Sequence, residues 1–136
     1  MLSSVLVRDH MTSAMIRFKP TQDIVEAAHI LLEYQLMGAP VVDEHERLIG
    51  YLSEKECLHI VVSATFNQDY GDLVKDRMCK DLKICHPTDD ITTIAERFLA
   101  EGVHTYPVIE KGVLVGMISR RTVLHAFCQL THTQPC

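Results

Sequence analysis

The octapeptide GYLSEKEC at residues 50–57 has a counterpart, GMISRRTV at residues 116–123, near the other end of the chain. Each begins with a glycine, continues with two apolar residues and a serine, and then becomes polar. Such a run is typical of a short strand that passes into a helix whose first turn is capped by the serine hydroxyl. The repeated octapeptide therefore predicts a duplicated strand-to-helix junction.

The duplication extends over most of the chain. A shift of 67 residues places Val7–Met11 on Val74–Met78 and Pro20–Ile24 on Pro87–Ile91. One residue is missing from the second copy after Glu110, and beyond it a shift of 66 residues aligns the two octapeptides. Matches that keep the same order, with one gap in a polar turn, indicate an internal repeat.

Each copy contains the periodicities of helices and a hairpin. Apolar residues recur at helical spacing after Pro20 and after Pro87, and the two helices are expected to end near Gly38 and Gly102. We expect Thr21 to cap the first of these helices. Two β-branched runs joined by a polar turn then predict a β-hairpin, and a further helix begins at each repeated serine. A short strand is expected before each proline.

The sequence therefore predicts an α/β fold made of two β-α-β-β-α repeats packed as a pseudo-symmetric pair. We place the first repeat at residues 5–65, a linker at 66–73 and the second repeat at 74–130. One copy alone supplies only a small core, which is why we expect the two copies to pack together.

Composition and charge narrow the functional class. The chain has 136 residues, of which 47% are hydrophobic and 23% charged, as in ordinary globular proteins. Its net charge of −5 argues against a nucleic-acid-binding face, which is usually basic. We see no signal peptide and no apolar run near the ~20 residues of a membrane helix. The expectation is a cytoplasmic protein without membrane insertion.

The cysteines and histidines follow no metal-binding pattern. The five cysteines contain no C-x-x-C pair, and the eight histidines lack the spacings of zinc sites. We therefore expect reduced thiols, no metal and no required cofactor.

The duplicated stretches GAPVVD at 38–43 and Gly-apolar-apolar-Ser at 50–53 resemble those of the cystathionine β-synthase (CBS) domain family, as a tandem pair. The resemblance covers about residues 5–130. It implies a regulatory module that binds AMP, ADP, ATP or S-adenosylmethionine. It also implies a homodimer that signals to a separate effector protein, because this sequence offers no further domain to regulate.

The resemblance assigns one ligand cleft to each repeat, formed by a strand entry, the residues around the strand proline and the start of the last helix. The first cleft would use Arg17, Phe18, Gly38, Ala39, Pro40, Ser53 and Glu56. The second, which we favour, would use Ile84, Cys85, His104, Thr105, Tyr106, Pro107, Ser119, Arg120, Arg121 and Thr122.

The sequence departs from the family pattern at the position where an aspartate would hold the ribose. Glu56 and Thr122 occupy that position in the two copies. Ser53 and Glu56 also form an S-x-x-E capping box, so the first cleft is either a cap alone or a cap that also binds. Arg120 and Arg121 lie in a first helical turn, where the dipole disfavours cations. They are either partners for a phosphate or solvated surface residues.

Two further interpretations stay open from the residues alone. Tyr106 stacks on a base or packs between the copies, and His104 adds a proton-dependent contact or is a surface residue. The chain contains no glycine-rich phosphate loop and no nucleophile elbow, so we predict that it is not an enzyme. The alternative to a nucleotide sensor is a ligand-free CBS pair that serves protein interaction.

Overall fold

The computed structural model describes residues 5–67 and 72–131. They form helices α1 (Ile24–Glu33), α2 (Glu54–Asn67), α3 (Val74–Arg77), α4 (Ile91–Glu101) and α5 (Arg120–Leu130), and strands β1 (Gly38–Val42), β2 (Leu48–Ser53), β3 (Thr105–Glu110) and β4 (Val113–Ser119). A short 3-10 helix, Val7–Asp9, precedes them. The predicted α/β fold with two repeats is confirmed. The predicted linker falls partly outside the described residues.

The chain divides into two compact units whose boundaries differ from those of the sequence repeats. A continuous unit spans Ile16–Leu82, and a split unit combines Met1–Met15 with Lys83–Cys136. The segment that opens each repeat therefore packs with the hairpin of the other repeat. The first repeat's opening segment belongs to the split unit, and the second repeat's opening segment belongs to the continuous unit.

The continuous unit is built on the antiparallel hairpin of β1 and β2, which pairs Gly38 with Ser53. Phe18 extends the hairpin in parallel beside Val41, through bonds of 2.9 Å from Phe18 N to the Pro40 carbonyl and from Val42 N to the Phe18 carbonyl. Helices α1 and α2 complete the unit. Its buried core contains Phe18, Ile24, Ala27, Leu31, Ala39, Val41, Leu52 and Val74.

The split unit repeats this arrangement. Strands β3 and β4 pair antiparallel with Thr105 opposite Ser119, and Cys85 lies in parallel beside Val108. The short strands predicted before the two prolines are thus single β-bridges at Phe18 and Cys85. The core contains Val7, Cys85, Ile91, Ile94, Phe98, Tyr106, Val108, Ile118, Val123 and Ala126.

The two repeated glycines make room for the opening segments. A Cβ atom on Gly50 would lie 2.4 Å from the Met78 sulfur, and one on Gly116 would lie 2.7 Å from the Met11 sulfur. Met78 therefore packs directly against Gly50, and the equivalent Met11 packs directly against the equivalent Gly116. Backbone pairing completes each contact, between Tyr51 and Cys79 and between Thr12 and Met117.

The helix ends correct two details of the sequence analysis. Asp23, and not Thr21, caps α1, because its carboxylate accepts a bond of 3.0 Å from Glu26 N. Helix α1 also ends at Glu33, before the predicted Gly38, and Gln35 then takes the left-handed conformation with φ of 55°. By contrast, Gly102 ends α4 with φ of 69°, as predicted.

The cysteines differ in whether they are free or disulfide-bonded. Cys57, Cys79 and Cys85 are free. Cys128 is disulfide-bonded, so the expectation of reduced thiols is wrong at that residue.

Candidate functional site

The start of α5 in the split unit brings several of the predicted ligand residues together. Ser119 caps the helix, and its hydroxyl oxygen accepts a bond of 3.1 Å from Thr122 N. The Ser119 and Thr122 hydroxyls are also 2.9 Å apart. Thr105 lies opposite Ser119 in the hairpin, and its hydroxyl donates to the Ile118 carbonyl at 3.0 Å. These hydroxyls are therefore held in fixed positions by local bonds.

Cationic and imidazole groups surround the same helix start. Arg120 N donates to the His104 carbonyl at 3.2 Å, and the Arg120 guanidinium contacts Nδ1 of His104. Because a guanidinium only donates, this contact uses Nδ1 of His104 as the acceptor. His104, Arg120 and Arg121 are all exposed. With the positive dipole end of α5, they make a surface suited to an anion.

Three of the predicted residues in this cleft do not present their side chains to a ligand. Cys85, Tyr106 and Pro107 are buried. Burial, followed by the nearby Asp89 carboxylate, raises the pKa of the Cys85 thiol to about 12. Such a thiol is protonated at neutral pH and is a poor nucleophile. Ile84 is partly buried, and its carbonyl accepts a bond of 2.8 Å from Arg97.

Tyr106 belongs to the core of its own unit. Its ring lies 4.5 Å from the Phe98 ring, and the Arg97 guanidinium stands 4.4 Å from its centroid. Its hydroxyl donates to the Glu101 carboxylate. Burial and this bond raise the pKa of Tyr106 to about 12. The ring is fully occupied by these contacts and has no free face for a base.

The corresponding helix start in the continuous unit is organised by Glu56. The backbone N–H of Ser53 donates to Glu56 Oε1 at 2.9 Å, and the Ser53 hydroxyl donates to the same oxygen. This is the carboxylate half of the capping box that the sequence predicts. The contacts already occupy one oxygen of the residue that stands at the family's ribose-binding position.

The other predicted residues of the first cleft are largely engaged or buried. Arg17 is ion-paired with Glu46. Phe18, Ala39 and Pro40 are buried, and the Phe18 backbone is already paired with Pro40 and Val42. Gly38 is tightly covered, because a Cβ on it would lie 2.6 Å from the Tyr51 ring.

Tyr51 is the residue that the sequence analysis missed. Its ring covers Gly38, and burial followed by the Glu56 charge raises the pKa of its phenol to about 12. The only available signal was its place as the first apolar residue after Gly50. Tyr51 thus covers Gly38 in the first cleft, where Glu56 places a negative charge.

An apolar groove of about 400 Å³ lies between α4 and α5 of the split unit. Helix α4 forms one wall with Ile91, Thr92, Ala95, Phe98 and Leu99. Helix α5 forms the other wall with Arg120, Val123, Leu124 and Phe127. Three of these apolar side chains are strongly exposed: Leu99 at 88%, Leu124 at 58% and Phe127 at 43%. The sequence analysis did not single out this surface.

Residues 5–67 and 72–131 contain neither a metal-binding cluster nor a membrane-spanning helix. In that part of the chain, no group of three or more His, Cys, Asp or Glu side chains is arranged to hold a metal ion. Over the same residues, no helix has the length and apolar character needed to cross a membrane.

Comparison with known proteins assigns the family. The sequence model of the CBS domain matches residues 7–63 and 72–128. The chain belongs to the CBS domain family, as a tandem pair of repeats.

Two sequence relatives and one solved structure define the similarity further. The chain is 26% identical over 113 residues to an uncharacterised protein of Methanocaldococcus jannaschii, covering 83% of this chain and 39% of that protein. It is 27% identical over 106 residues to inosine-5'-monophosphate dehydrogenase of Halalkalibacterium halodurans, covering 76% of this chain and 20% of that enzyme. The chain thus spans well under half of these two relatives.

The solved structure is CBSX2, a CBS-pair protein from Arabidopsis thaliana, in complex with AMP. It has a TM-score of 0.83 and 25% sequence identity, and the match covers 93% of this chain and 98% of that one. The fold of this chain is therefore that of a CBS pair along nearly its whole length.

Proposed function

We propose that this protein is a regulatory, non-catalytic module that binds an adenosine-containing ligand at the start of α5 and signals to a separate partner protein. The proposal rests on one observation above all. Arg120, Arg121 and His104 gather at the N-terminus of a helix whose cap, Ser119, is already in place.

The electrostatics of the helix start favour a phosphate-bearing ligand. Two arginines in the first turn of a helix oppose the helix dipole, and an anion bound there offsets that cost. The AMP complex of CBSX2 supports an adenine nucleotide as the anion, since that protein shares the fold over nearly all of this chain. AMP, ADP, ATP and S-adenosylmethionine are the compounds to compare.

The ribose and base would be held differently from the family pattern. Thr122 offers one hydroxyl, already near Ser119, where the family has an aspartate able to accept two bonds. Tyr106 is buried, so the base would rest on backbone groups of Ile84 and Thr105 and not on that ring. We expect an affinity that depends more on phosphate than on ribose.

The first cleft is proposed as the weaker site. Glu56 is engaged by Ser53, and Tyr51 covers Gly38. A phosphate placed beside the Glu56 carboxylate would meet like charge, which disfavours binding. One nucleotide per chain, bound by the split unit, is the expected stoichiometry.

A thermal-shift panel tests this proposal. Ligands that bind only the folded protein raise its Tm as their concentration rises. We expect a dose-dependent rise with at least one adenine nucleotide and a smaller rise with inorganic phosphate. Calorimetry on Arg120→Ala and Arg121→Ala then locates the site. Removing either arginine side chain is expected to weaken nucleotide binding about tenfold, or ~1.4 kcal/mol.

Arg47→Ala is the matched control for these variants. Arg47 is an exposed arginine in the β1–β2 turn of the continuous unit and is not among the residues at the start of α5. It removes the same charge from the chain without touching the proposed site. A flat panel up to millimolar ligand, or equal losses in all three variants, would contradict nucleotide binding at α5.

A ligand-free interaction module is the second candidate. The observation that favours it is that both caps already have partners, since Ser53 donates to Glu56 and Ser119 accepts from Thr122 without a ligand. The flat outcome of the same panel supports this candidate. We further propose a cytoplasmic homodimer in either case, with the exposed apolar helix faces as the contact surface.

A further inference from the structure

Arg97 of α4 contacts three segments of the split unit. Its Nη1 donates to the Ile84 carbonyl at 2.8 Å, in the segment that pairs with β3. Its guanidinium stands 4.4 Å from the ring centroid of Tyr106 in β3, and its Nη2 lies 3.4 Å from the Glu101 carboxylate at the end of α4. The Tyr106 hydroxyl donates to the same Glu101 oxygen. These contacts hold the guanidinium in place against the Ile84 carbonyl.

The bond from Arg97 fixes a peptide group that a second bond also holds. The Ile84 carbonyl and the Cys85 N–H belong to one planar peptide. The Cys85 N–H donates to the Pro107 carbonyl at 2.9 Å, so this peptide is held both at its oxygen and at its nitrogen. A carbonyl oxygen can accept two hydrogen bonds, so the Ile84 oxygen keeps one acceptor position beyond its bond to Arg97. The orientation of the peptide plane sets the direction of that position.

The equivalent positions of the first repeat hold different residues. The shift of 67 residues carries Arg97 to Ile30, whose side chain cannot donate a hydrogen bond. It carries Ile84 to Arg17, which is ion-paired with Glu46. The continuous unit thus forms the same pairing beside its hairpin without an arginine on its helix. Because the fold of a repeat does not require this arginine, its presence in the second repeat needs another explanation.

We infer that Arg97 is a positioning residue of the ligand site, and that it orients the Ile84 carbonyl for the base of an adenosine-containing ligand. The exocyclic amine of adenine donates hydrogen bonds, so an acceptor held in one direction suits it. Binding to a group that is already fixed also costs less ordering entropy. The inference rests on the proposed function, in which the base uses backbone groups of Ile84 and Thr105, and it extends that site to α4.

Three probes separate the parts of the proposed ligand. They are AMP, adenosine, which lacks the phosphate, and pyrophosphate, which lacks the ribose and the base. Arg97→Met keeps the apolar stem and removes the guanidinium. We expect it to weaken AMP and adenosine about tenfold and to leave pyrophosphate within about twofold of the wild-type dissociation constant, as measured by NMR titration of the full chain. Arg97→Lys should lie between, because an ammonium group cannot contact Ile84 and Glu101 as a guanidinium fork does.

Arg120→Ala should give the opposite pattern, with weaker AMP and pyrophosphate and unchanged adenosine. This contrast distinguishes positioning from a general loss of structure, because a loosened site would weaken all three probes. Arg8→Met is the matched control. Arg8 is an exposed arginine of the same unit and is not among the residues that contact Ile84, so its loss removes the same charge. All three dissociation constants should stay unchanged in that variant.

Amide hydrogen exchange tests the positioning without any ligand. The Cys85 N–H should exchange faster in Arg97→Met than in the wild type. The Phe18 N–H, which makes the equivalent bond to Pro40 in the first repeat, should exchange at the same rate in both. Unchanged exchange at Cys85 overturns the inference, because the arginine then does not hold that peptide.

The binding outcomes separate this inference from the proposed function. An Arg97→Met variant that binds adenosine normally, or that loses pyrophosphate to the same extent, overturns the inference while nucleotide binding stands. A wild-type protein that binds none of the three probes overturns the proposed function, and the role of Arg97 in the site with it.

Discussion

Asp90 shows how a single carboxylate fixes the start of a helix. It caps α4 through a bond of 2.9 Å from Thr93 N, and a second bond from the Thr93 hydroxyl measures 3.0 Å. These bonds, led by the one from the Thr93 backbone, hold the pKa of Asp90 below its ordinary value. The carboxylate form is therefore the one that the folded state prefers.

A depressed carboxyl pKa ties the stability of α4 to pH. The stabilisation is complete above the pKa of the unfolded state and is lost as pH falls through the lower folded-state pKa. We expect Asp90→Ala to lower the Tm by a few degrees at pH 7, and Asp90→Asn to lower it less, because asparagine also caps helices. The difference between wild type and Asp90→Asn should shrink as the pH falls below 4. A constant difference measured by circular dichroism would argue against this role.

Cys85 gives a second expectation at the residue scale. Its side chain is fully buried, and its pKa is raised to about 12. Native protein treated with iodoacetamide at pH 8 should therefore be labelled more slowly at Cys85 than at Cys79, which is partly exposed. Peptide mass spectrometry measures both rates in one sample, and labelling in denaturant provides the reference. Equal rates in the native protein would show that the core opens readily.

Some of these residue roles were readable from the sequence and others were not. Gly102 is the residue type that predicts a left-handed helix end. Gln35 adopts the same conformation, with φ of 55°, although its residue type does not predict it. Likewise Thr21 and Asp23 are both good capping residues, and only the position of the first helical turn decides for Asp23. The residue types allow more than one backbone conformation and more than one capping residue, and the packing of the folded chain determines which one forms.

At the scale of elements, the hairpins depend on what lies against their glycines. Gly50→Ala would place a Cβ 2.4 Å from the Met78 sulfur and 2.7 Å from its Cγ. We expect the change to cost about 1–3 kcal/mol of unfolding free energy, as overpacking does. Urea denaturation measures the cost. Adding Met78→Ala should recover part of it, since that change removes the atoms in conflict.

The double variant Gly50→Ala with Met78→Ala can also contradict this explanation of the glycine. If Gly50→Ala is as costly in a Met78→Ala background as in the wild type, the methionine is not the reason for the glycine. The repeat offers an internal comparison, because Gly116 faces Met11 in the same way at 2.7 Å.

The order of helices and strands was predictable, and the content of the candidate site only partly so. Helical and strand periodicities place the four longer helices and the four strands near their observed bounds, except for the end of α1, and the short helix α3 was not predicted. The side chains around each cleft depend on contacts between distant segments, which no local pattern records. Tyr106 was a candidate for stacking and is buried on Phe98, and Tyr51 passed unnoticed although it covers Gly38.

At the scale of the molecule, each unit depends on the opening segment of the other repeat. Val7 is fully buried in the split unit, in a cluster with Cys85 and Ile91. Val7→Ala should therefore destabilise the unit that holds the second repeat, by about 2 kcal/mol. Native-state hydrogen exchange should show lost protection in β3, β4 and α4. The same loss confined to the first repeat would contradict the division into units.

The matched change is Val74→Ala, which removes the equivalent side chain from the core of the continuous unit. Its loss of protection should fall on β1, β2 and α1. Together the two variants ask whether each opening segment stabilises the repeat that it does not begin.

The exchange of opening segments has a consequence for the order in which a ribosome delivers the chain. Residues 16–82 emerge as one stretch that holds the elements of a complete unit. In the folded protein the Thr12 backbone N–H donates to the Met117 carbonyl at 2.9 Å. This bond cannot form until Met117 has been synthesised. At about 5–20 residues per second that interval lasts roughly 5–20 s. Residues 7–12 are thus made before the continuous unit but folded after it, and until then Val7 and Met11 are apolar side chains that a chaperone can bind.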